Sequence, residues 1–316
     1  MKNKCLYCYL ELQEKEIDFH GKCSKKIFGQ LTAPILPYDE SDMTKLAEKV
    51  IQAQTTITGV QSKLSLHLES DKGSSLLKRF TIVGLWGEYI LKPPTDYYPQ
   101  LPEVEDITMH LAAIAKIKVV PHSLIRMASG RLAYITKRVD RNKNVKLAME
   151  DMCQLTERLT EDKYNSSYEQ IAKCIQKYSS NSGLDVVNFF EVLIFSFITG
   201  NADMHLKNFS LIETPSIGPT FSPAYDLVAT AIINTVDDED LALTLNGKKK
   251  KINKADFVAA SKTANISLKQ LENIFEKMNT VKEFWFQLID KSFLSKTYQT
   301  KYKSLIENRL NRLNNS

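Results

Sequence analysis

Asp203 and Asn208 stand five residues apart in Gly200-Asn201-Ala202-Asp203-Met204-His205-Leu206-Lys207-Asn208-Phe209-Ser210, and Asp226 follows in Ala224-Tyr225-Asp226-Leu227. Phosphoryl transfer to a hydroxyl asks few groups of a protein. One carboxylate accepts or orients the hydroxyl proton, while a carboxamide and a second carboxylate hold magnesium against nucleotide phosphates. The Asp-x4-Asn spacing with a further Asp downstream is the arrangement of protein kinase catalytic and metal loops. Upstream, Lys92 ends the segment Glu88-Tyr89-Ile90-Leu91-Lys92, where it can pair with phosphates, and Glu103 or Glu105 can fix it through an ion pair. The turn Thr58-Gly59-Val60-Gln61-Ser62-Lys63 offers backbone N–H groups and a cation to a polyphosphate. Each piece alone has an ordinary reading: turn chemistry or a cap for Asp-x4-Asn, a solvated lysine, a simple glycine turn. Their order along the chain is what points to a nucleotide-dependent transferase.

A second set of reactive side chains sits at the start of the chain. Cys5, Cys8, His20 and Cys23 fall as C-x2-C-x11-H-x2-C, two close pairs of soft or borderline ligands that suit tetrahedral zinc. A structural metal would stabilise a segment too small to bury a core of its own. The alternative is that the cysteines pack as small apolar side chains and His20 is merely exposed. Cys153 and Cys174 fall in helical patterns and read as core. A cysteine nucleophile served by His20 or His205 has no further support.

These groups need elements to hold them. Alternation over Lys63 to Leu68 reads as a strand, followed by strands over Phe80 to Leu85, Glu88 to Lys92, Val119 to Ile125 and Leu132 to Val139. A helix is expected from Glu103 to Lys116, a polar one through Met43 to Gln52, and a proline-bearing turn at Ala33 to Pro37. From about Leu147 long helices take over: Met149 to Thr160, Ser167 to Tyr178 and Leu184 to Thr199, the last with a Phe189, Phe190, Leu193, Phe197 stripe that reads as core. Gly200 to Leu227 is irregular, and helices run to the C-terminus. The expected architecture is α+β and two-lobed, with a mixed sheet first and helices second. Residues 1–50 form a Cys/His segment and linker, 51–140 an N-lobe with the phosphate loop, and 141–316 a helical C-lobe with the catalytic and metal loops.

Composition bounds the alternatives. The chain has 316 residues, is 43% hydrophobic and 25% charged, and carries a net charge of +5, too mild a balance to indicate nucleic-acid binding. Eleven Gly and ten Pro exclude collagen-like or low-complexity architecture. The most apolar stretch, Val186 to Thr199, is shorter than a membrane span and carries Glu191, so it reads as a buried helix. Five cysteines and no evident secretory signal point to reduced thiols and a cytoplasmic setting, with no membrane partner. Lys248 to Lys251, after an apparent Asn246-Gly247 hairpin turn, read as a solvated loop that pairs with Asp237 to Asp240; contact with DNA phosphates is the sharper alternative.

The ordered motifs resemble the HipA-like serine/threonine kinases, toxins of bacterial toxin–antitoxin pairs. They are Ile57 to Ser65, Tyr89-Ile90-Leu91-Lys92-Pro93, Leu101 to Glu105, Ile135 to Arg141, Glu150 to Gln154, Gly200 to Ser210 and Ala224-Tyr225-Asp226. The resemblance implies a two-lobed protein-kinase-like fold binding ATP and Mg2+ between its lobes. Asp203 would be the catalytic base, and Asn208 and Asp226 the magnesium ligands. Lys92 would contact phosphates, and Thr58, Gly59, Val60, Gln61, Ser62 and Lys63 would form the phosphate loop. Lys137, Arg138 and Val139 would form the adenine hinge, with His205, Lys207 and Tyr225 beside the nucleotide. Members autophosphorylate a serine just before the loop glycine; the matching positions here are Thr56 and Thr58, flanking Ile57. The chain resembles the short, HipT-like form, in which the N-terminal subdomain is a separate small protein. The implied partners are that protein, a HipB-like DNA-binding antitoxin that brings DNA only indirectly, and a protein substrate such as an aminoacyl-tRNA synthetase. Two other readings stay open. One is a small-molecule phosphotransferase; the other is a non-catalytic nucleotide-binding partner of a DNA-binding antitoxin.

Overall fold

The computed structural model describes residues 3–42, 63–71, 74–83, 87–142, 145–234, 236 and 238–314. The helix expected through Met43 to Gln52 lies outside them. The chain divides into two compact units, Met1–Asp106 with Val120–Arg138 and Lys291–Phe293, and Ile107–Val119 with Val139–Asp290 and Leu294–Ser316.

The first unit is built on a sheet. Its strands are β1 (Leu64–Asp71), β2 (Ser74–Val83), β3 (Tyr89–Lys92), β4 (His122–Arg126) and β5 (Leu132–Lys137), in the order β2-β1-β3-β5-β4. Every pairing is antiparallel, so the mixed sheet expected from the sequence is corrected. Period-2 placement of Leu64 and Leu66 buries them with Phe80, Tyr89, Leu91, Leu124, Ala133 and Ile135. The same core receives Cys5, Leu6 and Phe19, together with Ile27 and Phe28 of α1 (Gly21–Phe28). The proline-bearing stretch does more than turn: Ile35 bonds to the backbone of β2 through Lys78 O and Phe80 N. β4 is shorter at its start than the pattern suggested, because Val119 belongs to the second unit and bridges there to Ala224, ahead of Pro121.

Helix α2 (Leu101–Ile114) begins two residues before the expected Glu103. It ends where Lys116 takes φ 60° and Ile117 N–H donates back to Ala112 O at 3.0 Å. The units divide within this helix.

In the second unit, residues past a short β6–β7 ribbon (Arg141–Asn142, Val145–Lys146) depart from the expected Met149 to Thr160 helix. Met149–Asp151 is strand β8, paired with β9 (Ser210–Thr214), which also pairs with β10 (Gly218–Phe221). Only α3 (Met152–Leu155) is helical, opened by a reciprocal Asp151–Gln154 capping box, and Glu157 at φ 54° breaks it. The helices α4 (Tyr168–Tyr178) and α5 (Ser182–Thr199) follow. α5 is the centre of this unit, with Phe189, Phe190, Leu193 and Phe197 essentially inaccessible. Its length and hydropathy would allow it to cross a membrane, but 67% of it is buried inside the protein and Glu191 pairs with Lys277 at 2.8 Å. Cys153 and Cys174 are buried.

The rest is helical: α6 (Thr230–Ile233), α7 (Lys254–Thr263), α8 (Leu268–Thr280), α9 (Lys282–Lys291) and α10 (Lys296–Asn314). Asn246 and Gly247, at φ 49° and 74°, form the tight turn their sequence indicated. The lysines that follow are paired, Lys248 with Asp256 at 2.8 Å, Lys249 with Glu239 at 3.4 Å and Lys250 with Asp238.

Candidate active site

In the first unit, Lys92 is the last residue of β3, the strand between β1 and β5, and it pairs with Tyr134 of β5. Its Nζ lies 2.5 Å from Glu105 Oε1, and both side chains are buried, at 3% and 0% exposure. Of the two glutamates that could have served, helix phase selects Glu105: starting α2 at Leu101 turns Val104, Glu105 and Thr108 inward. Lys92 Nζ also sits 5.5 Å from the centroid of the Tyr134 ring. Glu103 is only partly covered, and loss of solvent raises its carboxyl from the ordinary range to about 7, with Asp106 adding to the effect.

Of the expected hinge, Lys137 closes β5 and is exposed. The N–H groups of Lys137 and Arg138 are committed to Pro121 O and Glu88 O, both at 2.8 Å. The units divide between Arg138 and Val139. Of the expected phosphate loop, Lys63 is an exposed residue just ahead of β1. Thr56, Thr58, Gly59, Val60, Gln61 and Ser62 lie outside the described residues.

The second unit holds the residues of the expected catalytic loop. α5 ends at Gly200 with φ 69°, a conformation that side chains resist, and a Cβ there would lie 2.6 Å from Leu305 Cδ2. The chain then turns sharply and is pinned by its own polar groups. Asn201 N–H donates to Ser196 O, Ala202 N–H to Thr230 Oγ1 at 2.9 Å, and Asp203 N–H to Asn201 Oδ1 at 3.2 Å. A single 3-10 turn, Leu206–Asn208, brings Asn208 back so that its Nδ2 donates to Asp203 O at 2.8 Å. A carbonyl only accepts, which fixes the amide's orientation and turns Oδ1 away from Asp203 O. Asn208 is 8% exposed, whereas Asp203 is exposed and its Oδ1 accepts from Tyr164 Oη at 2.5 Å.

Asp226 takes φ 55° just after Ala224, whose N–H donates to Lys118 O at 2.8 Å. Tyr225 ties the two loops together, donating to Lys207 O at 3.1 Å and sharing a 2.5 Å hydrogen bond with Ser210. Burial lowers the His205 pKa, which the nearby Asp203 and Asp226 charges oppose. Its ring packs edge-on to Tyr164, and Nδ1 has no hydrogen-bond partner among the described residues. Lys207, expected beside the nucleotide, is held by Asp151 at 2.7 Å.

Asn208 Oδ1 and the Asp226 carboxylate are hard oxygen donors carried by adjoining loops, a donor chemistry that suits Mg2+. Lys92, fixed by Glu105, is a cation suited to phosphate oxygens. Four residues that position this loop were assigned no role from the sequence: Tyr164, Asp151, Asn201 and Thr230. Asp151 lies in the quoted Glu150 to Gln154 block, so its position was visible and its partner was not. Tyr164 sits in an irregular stretch with no spacing to mark it.

The chain belongs to the HipA-like C-terminal domain family, whose pattern residues 55–285 match. Among curated proteins it is 29% identical over 211 residues to a Haemophilus influenzae chain named "Putative kinase", covering 63% of this chain and 59% of that one. It is 32% identical over 209 residues to the similarly named Y4dM of Sinorhizobium fredii, covering 62% and 50%. The chain thus spans about half the length of the curated relatives it matches. Its fold is that of HipA from Shewanella oneidensis, solved as a HipA, HipB and operator DNA complex (TM-score 0.70, 21% identity, 89% of this chain and 72% of that one). The Helicobacter pylori kinase CtkA is also similar (TM-score 0.52, 17% identity, 71% and 87%). The expected α+β, kinase-like fold and the HipA-like family are therefore correct.

Proposed function

We propose that the chain is an ATP- and Mg2+-dependent protein kinase that transfers the γ-phosphoryl group to a serine or threonine hydroxyl. The observation that carries this reading is the Asp203–Asn208 loop: an exposed carboxylate held at one oxygen by Tyr164, beside a buried carboxamide whose donor is engaged. Asp203 accepts the proton of the attacking hydroxyl through Oδ2, while Tyr164 keeps Oδ1 in place. Asn208 Oδ1 and Asp226 hold the metal, and Lys92, oriented by Glu105, holds phosphate oxygens. Bound Mg2+ supplies charge neutralisation on the transferring phosphoryl group. At the hinge, Val139 offers the first backbone N–H beyond those of Lys137 and Arg138, and so is the amide proposed to meet adenine.

Thr56 and Thr58 are the proposed sites of autophosphorylation; about two added negative charges beside an anion-binding loop would repel ATP phosphates and shut the enzyme off. By analogy with the Shewanella complex, a HipB-like DNA-binding antitoxin is the proposed partner, with a small N-subdomain-like protein as a further one. An aminoacyl-tRNA synthetase is the proposed target class, and the cytoplasm the proposed setting.

The test is the intact mass of the purified chain with and without Mg-ATP, beside Asp203→Ala. Addition of phosphate to the wild type and not to the variant is expected, with mapping to Thr56 or Thr58. Transfer to a sugar or lipid hydroxyl, with none to any protein, would replace this reading by that of a small-molecule phosphotransferase.

A further inference from the structure

We propose that Cys5, Cys8, His20 and Cys23 form a structural zinc site that braces the element pair carrying Lys92 and Glu105. The ligand atoms come from two tight local structures. A short hairpin, with Lys4 bridged to Glu11 and Cys5 N–H bonded to Leu10 O at 2.8 Å, presents Cys5 and Cys8 from its turn. His20 is the N-cap of α1 and Cys23 lies in its first turn, with Cys23 N–H donating to His20 O at 2.9 Å. One ligand atom from each residue lies within 4.8 Å of every other. A zinc tetrahedron with Zn–S near 2.3 Å and Zn–N near 2.0 Å has edges of about 3.5–3.8 Å, so the four atoms sit close to the required spacing.

The histidine supplies the sharper evidence. Its Nε2 lies 3.0 Å from Glu11 O, and a carbonyl can only accept, so Nε2 carries the proton. In the neutral ring the lone pair is then on Nδ1, which lies 3.3 Å from Cys8 Sγ and 3.9 Å from Cys23 Sγ. A carbonyl-oriented imidazole with its free lone pair aimed at thiols is the outer-shell arrangement of metal-ligating histidines. Three sulfurs and one nitrogen match a closed Cys3His site, which leaves no open position for catalysis. On binding, Cys5, Cys8 and Cys23 lose their thiol protons to solvent while His20 stays neutral.

The site is joined to the kinase-type elements by buried links. Next to Cys8, Tyr9 donates to Asp106 Oδ2 at 2.6 Å, and Asp106, adjacent to Glu105, also accepts from His122 Nδ1 at 2.9 Å. From α1, Ile27 O accepts from Tyr89 Oη at 3.1 Å, at the start of the strand that ends in Lys92. Phe28 packs edge-on against Phe80. The functional weight of this bracing rests on the phosphate-binding reading of Lys92; the zinc site itself does not.

The test uses the full chain purified under reducing conditions with zinc in the growth medium. Elemental analysis is expected to give about one zinc per chain, and the cobalt-substituted protein to show thiolate-to-metal charge transfer and tetrahedral d–d bands. His20→Cys should keep the metal as a four-thiolate site, and a Cys153→Ser, Cys174→Ser double variant should keep it too. Cys8→Ser with Cys23→Ser should lose it. Chelation should speed amide exchange in Tyr89–Lys92 and the first turn of α2 while leaving α5 unchanged. Metal below about a tenth of an equivalent in the wild type, a disulfide in its intact mass, or metal retained by the Cys8→Ser, Cys23→Ser variant would overturn the site. None of these readouts needs ATP turnover, so a failed zinc site and a failed kinase reading are told apart.

Discussion

The two units hold their proposed phosphate chemistry by opposite means. Lys92 and Glu105 sit on a central strand and a helix, buried, each neutralising the other. Asp203 sits on irregular backbone and is exposed, and its order comes from side chains that bond the loop to itself: Asn208 to Asp203 O, Asn201 to Asp203 N, Tyr164 to its carboxylate. A buried charge survives only with a partner, so the lysine's position is part of the fold's own stability. An exposed carboxylate has no such requirement and can be changed with little cost to folding. Stability and chemistry are therefore coupled in the first unit and separable in the second.

That contrast can be broken at several points. The largest effect is expected at Asp203: alanine there should lower phosphoryl transfer by about 10²–10⁴-fold, as loss of a general base does, with an unfolding midpoint close to wild type. At Lys92, methionine should abolish transfer and also destabilise by roughly 3–5 kcal/mol in denaturant titration, because the buried Glu105 loses its lysine; adding Glu105→Leu should recover much of that loss. Gly200→Ala tests whether backbone shape alone holds the loop. Its positive φ and the close Leu305 side chain should cost roughly 1–3 kcal/mol. Tyr164→Phe removes one hydrogen bond to Asp203 and should slow turnover about fivefold while lowering stability by no more than about 1 kcal/mol.

The smallest expected effect is a pH dependence in the first unit. Burial raises the Glu103 carboxyl to about 7, so folding favours its neutral form. Its contribution to stability is complete below the ordinary carboxylate range and is lost as pH rises through 7. Glu103→Gln should therefore melt like wild type at pH 4 to 5 and a few degrees higher at pH 8; equal shifts at both would refute the assignment.

The sequence made the local part of this arrangement legible. Asp203, Asn208 and Asp226 announce themselves by spacing, as do the paired cysteines and histidine, because a loop or turn needs no distant partner to define it. What stayed hidden depends on non-local pairing or on helix phase. Met149, Met152 and Cys153 fall at helical spacing, yet Met149–Asp151 is a strand because Ser210–Ile212, about sixty residues on, pairs with it. Glu103 and Glu105 were equivalent until the start of α2 at Leu101 set which faces inward. Tyr164 carries no local mark at all; only the folded loop shows whose oxygen it meets.

The central claim is that Asp203 performs the chemistry and leaves nucleotide binding to other groups. The direct measurement is Mg2+-dependent ATP binding and phosphoryl transfer, followed side by side in the wild type and Asp203→Asn. The account predicts that the variant binds ATP within about threefold of the wild type and loses transfer by a hundredfold or more. Transfer that persists in Asp203→Asn, or a wild type that binds no ATP, would contradict it.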